Sequence, residues 1–320
     1  MKKISIIIFT YKRAILLNEV LRSIFKNFKN IDLPIHVIYH FDQKHKKSYD
    51  ILKKVWKGKK VIFYERKKIN ILNIIKYFFI NPLNILWVLR WPSILKDLNN
   101  FKFLLEKILR DISNDFITLV PDDQIFYKKT IVPDKALKII NRNKNKYFYR
   151  FFTGDHFRHY NSLPKKLKKK YHKDKFTPFF EWSSVGKLHS NSPLWTYRFT
   201  IEGTIYSKQA LMNLIRVFLY HNPITLEAIG LWESRFRGFF SNGISAKNRT
   251  AAGYQLNSVQ NLVKHPNHDF KPDILMKAYL KGYNLIVSLK DFNKDKFDVV
   301  PKVIYFKKNN KIIRYEDIIL

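Results

Sequence analysis

Short, wholly apolar runs alternate with stretches in which apolar residues return every three or four positions, and this alternation fills the first half of the chain. Ile4–Phe9 is such a run and reads as a strand buried on both faces. A helix is predicted from about Ala14 to Phe28, because Leu17, Val20, Leu21, Ile24 and Phe25 fall on one face. Ile35–Tyr39 and Val61–Tyr64 repeat the strand signal on either side of a helix at Ser48–Trp56. A further helix near Phe101–Ile112 leads into Phe116-Ile117-Thr118-Leu119-Val120, an unbroken β-prone run. Strands joined in turn by helices predict an α/β fold, a mixed and mostly parallel sheet flanked by helices. Beyond about Pro133 the pattern is less regular and richer in aromatic residues. Neither a repeat nor a Gly/Ser linker marks a boundary, so the halves 1–132 and 133–320 read as tightly joined.

Composition adds a constraint on partners. The 320 residues are 46% hydrophobic, enough for a large core, yet the formal net charge is +35. Such a charge favours polyanions: nucleic acid, anionic lipid headgroups or phosphorylated substrates. The abundance of Lys, Ile, Asn and Phe reads equally well as a codon bias towards A and T. The absence of cysteine excludes disulfides and thiolate metal sites and fits a reducing compartment. Met1-Lys2-Lys3 and the apolar run after it resemble a signal peptide, but Thr10-Tyr11-Lys12-Arg13 follows in place of a small-residue cleavage site.

Ile69–Leu95 is the greasiest stretch, interrupted by Lys76, Pro82, Arg90 and several Asn, and so a poor bilayer span. Trp87, Trp91 and the flanking cations suit a segment lying in a membrane interface; the same residues suit a helical pair packed on the core. Pro164–Lys173, dense in lysine, reads as a solvated loop or as a patch facing lipid or phosphate.

Candidate chemistry gathers where strands stop. Asp122-Asp123 follow the strand ending in Val120-Pro121, and adjacent carboxylates repel unless a cation sits between them. Ligands of parallel sheets bind at the carboxyl ends of the strands, where Thr10–Arg13, Asp42 and Asp122-Asp123 all fall. A divalent ion held by Asp122 and Asp123, completed by water and phosphate oxygens, would neutralise a diphosphate leaving group. Arg13 suits a phosphate or base edge. At a helix start its charge otherwise opposes the helix dipole.

These residues also carry a resemblance. Ile4-Ser5-Ile6-Ile7-Ile8-Phe9-Thr10-Tyr11-Lys12-Arg13 resembles the opening strand and loop of family 2-type glycosyltransferases, and Leu119-Val120-Pro121-Asp122-Asp123-Gln124-Ile125-Phe126 resembles their metal-binding DxD segment. The ordered pieces Leu194–Arg198, Ile201–Tyr206, Asn222–Glu227 and Asn257–Gln260 resemble a bacterial cell-surface polysaccharide and lipopolysaccharide subgroup. The resemblance implies a GT-A-like (Rossmann-like) fold with a C-terminal acceptor-side region. It also implies a nucleotide-sugar donor, Mn2+ or Mg2+ on Asp123 and Asp122, and transfer with inversion to a glycan or lipid-linked acceptor. It would place Thr10, Tyr11, Arg13, Asp42, Asp122 and Asp123 on the donor. Two departures stand out: Gln124 fills the third DxD position, and His36–Asp42 lacks the usual Asp-Asp-Gly-Ser run.

An inverting transfer needs a base for the acceptor hydroxyl proton, and Glu227 and Glu202 are the candidates. Each has a structural alternative: Glu227 as a carboxylate at a helix N-terminus, Glu202 in a salt bridge. Trp195 and Tyr197, like Trp182, read as stacking platforms for sugar or as core, and Gly203 as a point of close backbone approach to a sugar or another strand. The histidines are scattered without metal-ligand spacing. Together these readings expect a metal-dependent enzyme, peripheral on an anionic membrane surface at the inner face of the cytoplasmic membrane. A catalytically inactive scaffold of the same fold is the alternative kept alive by Gln124. A nucleic-acid-binding protein is disfavoured, because the basic residues are spread along the chain and no zinc-finger, RNP-like or zipper motif is present.

Overall fold

The apolar runs of the first half pair side by side. The computed structural model describes residues 2–155, 169–175, 177–183, 195, 197–256, 270–288, 292, 298–299, 301 and 303–319. Strands β1 (Ser5–Tyr11), β2 (Ile35–His40), β3 (Val61–Glu65) and β4 (Phe116–Pro121) form a parallel block in the order β3-β2-β1-β4. The connections are helical: α1 (Ala14–Asn27), α2 (Lys46–Val55), then α3 (Leu72–Ile80), α4 (Leu83–Arg90), α5 (Ser93–Lys96) and α6 (Phe101–Asp111). Side chains of β1 alternate between two cores, as strand geometry requires. Ile6 and Ile8 join Leu17, Val20 and Leu21 of α1, while Ile7 and Phe9 face Leu105 and Leu109 of α6.

The second half extends the same sheet. Beside β4 lies β9 (Thr204–Ser207), then β6 (Tyr147–Arg150), β10 (Asn242–Ala246), β8 (Phe179–Ser183) and β7 (Lys169–His172), giving nine strands. Only β9 and β8 run against the other seven. The sheet is thus mixed and mainly parallel, with helices on both faces, in agreement with the expected α/β fold. The short β5 (Gln124–Phe126) leaves it to pair with β11 (Ala251–Tyr254), which in turn pairs with β13 (Asp298–Val299). Helices α7 (Asp134–Arg142), α8 (Lys208–Ile215) and α9 (Pro223–Phe236) complete the layers. Near the C-terminus α10 (Pro272–Leu280), the small sheet β12 (Asn284–Ile286), β14 (Tyr305–Lys308) and β15 (Lys311–Arg314), and α11 (Glu316–Ile319) follow. Asn18 of α1 donates to Asn284 at 2.9 Å, tying this region back to the first helix. Asn257–Gln260 and most of the basic run Pro164–Lys173 lie outside the described residues.

Ile69–Leu95 forms the helical pair α3–α4 with the short α5. Ile74, Tyr77, Trp87 and Ile94 are buried beneath it. Asn84 fixes its base, donating to the carbonyls of Tyr77 (2.8 Å) and Val217 (3.0 Å) and accepting from Leu219 N–H at 2.8 Å. Lys102 of α6 holds the adjoining layer by donating to Glu106 (2.6 Å) and to the carbonyls of Ile215 and Arg216 at the C-terminal end of α8. Burial pushes its ammonium down to about 8 despite Glu106. Trp87 takes the core alternative, buried edge-to-face on Trp232 at 5.7 Å, while Phe79, several aliphatic side chains, Lys76 and Arg90 are exposed.

Candidate functional site

The carboxyl ends of β1 and β4 converge on one ion cluster. Lys12 adopts a left-handed φ of 58°, uncommon for a residue with a Cβ, and this turn carries the chain from β1 into α1. Arg13, the N-cap residue of α1, makes no capping bond with its side chain. Its guanidinium instead reaches the acid pair, with Nη1 at 3.1 Å from Asp122 Oδ1 and 2.8 Å from Asp123 Oδ2. The side chains are only 10%, 7% and 19% exposed, so water screens these contacts little. The cation that the adjacent carboxylates require is therefore supplied by the protein itself.

A relay of hydroxyls sets the other oxygen of Asp122. Thr10 Oγ1 donates to Asp122 Oδ2 at 2.7 Å, and Tyr11 N–H approaches the same oxygen at 3.3 Å. Thr10 has one hydroxyl proton, so Tyr49 O–H, 2.9 Å away, must be the donor to Thr10. Arg13 N–H donates in turn to Tyr49 at 3.2 Å. The ion cluster is asymmetric. Arg13 is buried but sees two carboxylates, which hold its guanidinium more firmly protonated. Asp122 is buried beside one cation and one anion. Burial outweighs the pull of Arg13, Asp123 adds to it, and the carboxyl rises to about 6.

Other donor-side candidates lie close by. Tyr11 stacks on His40 at 5.3 Å with 12° between the planes. Asp42 follows β2 and caps the 3-10 turn Gln43–His45, accepting from His45 N–H at 3.1 Å while Lys12 Nζ stands 2.9 Å from its other oxygen. Partial burial opposes its ionisation, but Lys12 and His45 outweigh that and hold the carboxyl well below the usual range.

The second half brings a further carboxyl group to the same end of the sheet. Asn222 and Thr225 form a capping box at the start of α9, with Thr225 N–H donating to Asn222 Oδ1 at 2.8 Å. This cap sets Glu227 in the first turns, where its Oε1 lies 3.4 Å from Ile201 N–H. Burial raises the Glu227 carboxyl above its ordinary value, with bonds from the Thr200 hydroxyl and Ile201 N–H opposing. The Ile201–Gly203 turn is tied to β4 through Gly203 N–H, which donates to Leu119 O at 2.9 Å. Gly203 has φ 46°, and a Cβ there would stand 2.4 Å from Gln124 Oε1. The close approach expected of Gly203 is therefore to the side chain in the third DxD position. Gln124 is 2% exposed, and its Oε1 accepts no hydrogen bond among the described residues.

Two aromatic candidates diverge. Tyr197 is half-buried beside the acids, and its hydroxyl is pushed up first by burial, then by Glu227 and Glu202. Trp195 is 1% exposed, edge-to-face on Trp182 at 5.0 Å, and so takes the core alternative with no free face for a sugar. Arg150, absent from the sequence candidates, is fully buried on β6, stacked over Phe148 at 4.4 Å. Burial pushes it down to about 10, opposed by Tyr206, Glu202, Tyr197 and Glu227. Its signal in the sequence is a lone cation within Tyr147-Phe148-Tyr149-Arg150-Phe151-Phe152.

The donor set fits a divalent ion only in reduced form. Asp122 is committed to Arg13, Thr10 and Tyr11, and no group of three or more His, Cys, Asp or Glu fit to hold a metal occurs among the described residues. Asp123, the more exposed acid, is itself paired with Arg13 through Oδ2 at 2.8 Å, so a Mg2+ or Mn2+ ion there would have to share Asp123 with Arg13 and draw its other ligands from water and substrate phosphates.

No protein-family model and no curated protein matches the sequence. Among solved structures the chain is similar to S. aureus TarS 1-349, with TM-score 0.38, 16% identity, and coverage of 76% of this chain and 57% of that one. The same TarS form in complex with UDP-GlcNAc gives TM-score 0.35, 15% identity and coverage of 72% and 54%. S. aureus TarS gives TM-score 0.36, 15% identity and coverage of 72% and 34%. The chain thus spans 34–57% of the length of these structures, and a likeness at these TM-scores assigns no chemistry.

Proposed function

We propose that the protein is a nucleotide-sugar glycosyltransferase that moves a sugar to a glycan or lipid-linked acceptor with inversion. The observation that carries this reading is the placement, at one end of one sheet, of an acid pair bridged by Arg13 and of Glu227, a partly buried carboxyl with a raised pKa. Glu227 takes the proton of the acceptor hydroxyl as its oxygen attacks the anomeric carbon. The bond from that carbon to the diphosphate oxygen breaks, and the nucleoside diphosphate leaves with the electron pair. Asp123 would hold the divalent ion, whose chemistry when bound is to neutralise the developing diphosphate charge. Arg13 keeps Asp122 and Asp123 in place, and Tyr11 on His40 offers a flat wall for the nucleoside. Glu202 and Tyr197 line the acceptor side.

Incubation with a panel of UDP-, GDP-, CMP- and dTDP-sugars, with and without Mn2+, tests this. Turnover of one donor is expected, reduced by roughly 10²–10⁴-fold in Glu227→Gln, the range for loss of a general base. Below the raised pKa of Glu227 the group is protonated and cannot act as base. The acid limb of kcat/KM should therefore lie above the usual carboxylate range and vanish with the substitution. Full activity in Glu227→Gln would remove it from the mechanism, and Glu202→Gln would then be examined in the same way.

A second reading is favoured by two observations: Arg13 fills the place between the carboxylates, and Gln124 packs on Gly203. A fold that binds the nucleotide without transferring sugar would show a thermal shift with one nucleotide across a panel in which no donor is consumed.

A further inference from the structure

The hairpin α3–α4 carries its apolar residues on the wrong side for a protein surrounded only by water. Ten of the eighteen large apolar side chains exposed among the described residues fall between Ile71 and Leu95. The most exposed are Phe79 (83%), Leu89 (71%), Leu72 (69%) and Leu86 (61%). Contiguous patches of this kind mark surfaces that something else covers. The hairpin is not an unpacked segment, since its underside is closed by Ile74, Tyr77, Trp87 and Ile94 and pinned by Asn84. On α9, Trp232 meets the buried Trp87 edge-on and stacks on Phe236, and these two α9 side chains are 39% and 76% exposed.

Charge selects the occupant. Lys67, Lys68, Lys76, Arg90 and Lys96 are all exposed around these side chains. The one acid between residues 66 and 98 is Asp97, which is paired with Arg66 at 3.2 Å. No helix among the described residues is long and apolar enough to cross a membrane. Apolar side chains ringed by cations, on helices too short to span, match a surface lying in the headgroup region of an anionic bilayer.

We infer that α3, α4 and the exposed Trp232–Phe236 edge of α9 form a membrane-docking face that inserts into the interface of an anionic lipid bilayer. The insertion leaves β3 at the carboxyl edge of the sheet, and α9 carries Glu227 about one and a half turns before Trp232. Docking there would keep the candidate site beside the lipid surface. The docking itself does not depend on the reaction, so its test needs neither sugar donor nor acceptor.

The test is sedimentation with vesicles of phosphatidylcholine containing one-third phosphatidylglycerol, against vesicles of phosphatidylcholine alone. The quadruple variant Leu72→Gln, Phe79→Gln, Leu86→Gln, Leu89→Gln keeps the net charge and alters only exposed positions, so its circular dichroism and melting temperature should match wild type. Wild type should bind the anionic vesicles and retain measurable binding at 0.5 M salt, where purely electrostatic attraction is screened. The variant should lose at least roughly tenfold in affinity at that salt, because the apolar contribution is removed. Equal binding by the two proteins overturns the inference. So does a folded wild type that ignores anionic vesicles, or one that self-associates through this face while the variant is monomeric.

Discussion

Arg13 sets the character of the site. With one guanidinium between Asp122 and Asp123, removing it leaves two adjacent, poorly hydrated carboxylates facing each other. Arg13→Met should therefore cost about 3–5 kcal/mol, the range for breaking a buried pair. Millimolar Mn2+ should restore part of the melting temperature in the variant and little in wild type, which a thermal-shift titration reads directly. Failure of any divalent ion to rescue would mean that the cleft cannot exchange an arginine for a metal. The Asp122 carboxyl gives a second test. Its folded value of about 6 lies above the ordinary 3.8, so between these pH values the folded protein holds a proton that the unfolded chain has released. Stability should then fall as pH rises through that window. Urea denaturation of wild type, referenced to Asp122→Asn at each pH, isolates the effect, and a flat difference would show that Asp122 ionises normally. The acids were legible in the sequence because they stand where an apolar run stops. Arg13 was legible as a neighbour at the same strand ends but was read as facing a phosphate or base edge, because strand order does not say which group a long side chain reaches.

At the scale of elements, the capping box of α9 carries more than a helix end. Asn222 and Thr225 exchange bonds there, and the first turns they fix hold Glu227 against the Ile201 backbone. Asn222→Ala should cost about 1 kcal/mol, seen as a lower melting temperature, and should reduce turnover by more than that stability loss explains. An unchanged rate in the folded variant would show that Glu227 is positioned by other contacts. The same scale shows what pattern reading can reach. Helix α1 was readable because one face of it is continuously apolar. The parallel block was readable because wholly apolar runs need cover on both faces. Strand β9 was not, since Thr204–Ser207 is four residues long and runs against its neighbours. The hairpin was foreseen as helices but not as to which face is buried. Apolar residues all round a helix leave no moment to choose with, and Asn84 makes the choice through bonds to residues 77, 217 and 219.

For the whole molecule, the charge of +35 sets what any binding experiment will see first. A chain this basic will hold a duplex oligonucleotide at low salt whatever its function, through release of counterions from the phosphates. That attraction carries no sequence information, and each neutralised phosphate steepens its dependence on salt. The candidate site calls for the opposite behaviour. If the proposed site holds a nucleotide through a few groups beside the Arg13–Asp122–Asp123 cluster, whose side chains are largely shielded from solvent, its affinity should vary little with ionic strength. Oligonucleotide binding is therefore expected to fall by about 10³-fold or more between 50 and 200 mM salt, without preference among sequences. The stabilisation conferred by the matching nucleotide should persist over the same range. Parallel titrations by fluorescence anisotropy and thermal shift distinguish the two. Tight, sequence-selective oligonucleotide binding at 150 mM salt would move the functional assignment from the end of the sheet to the charged surface.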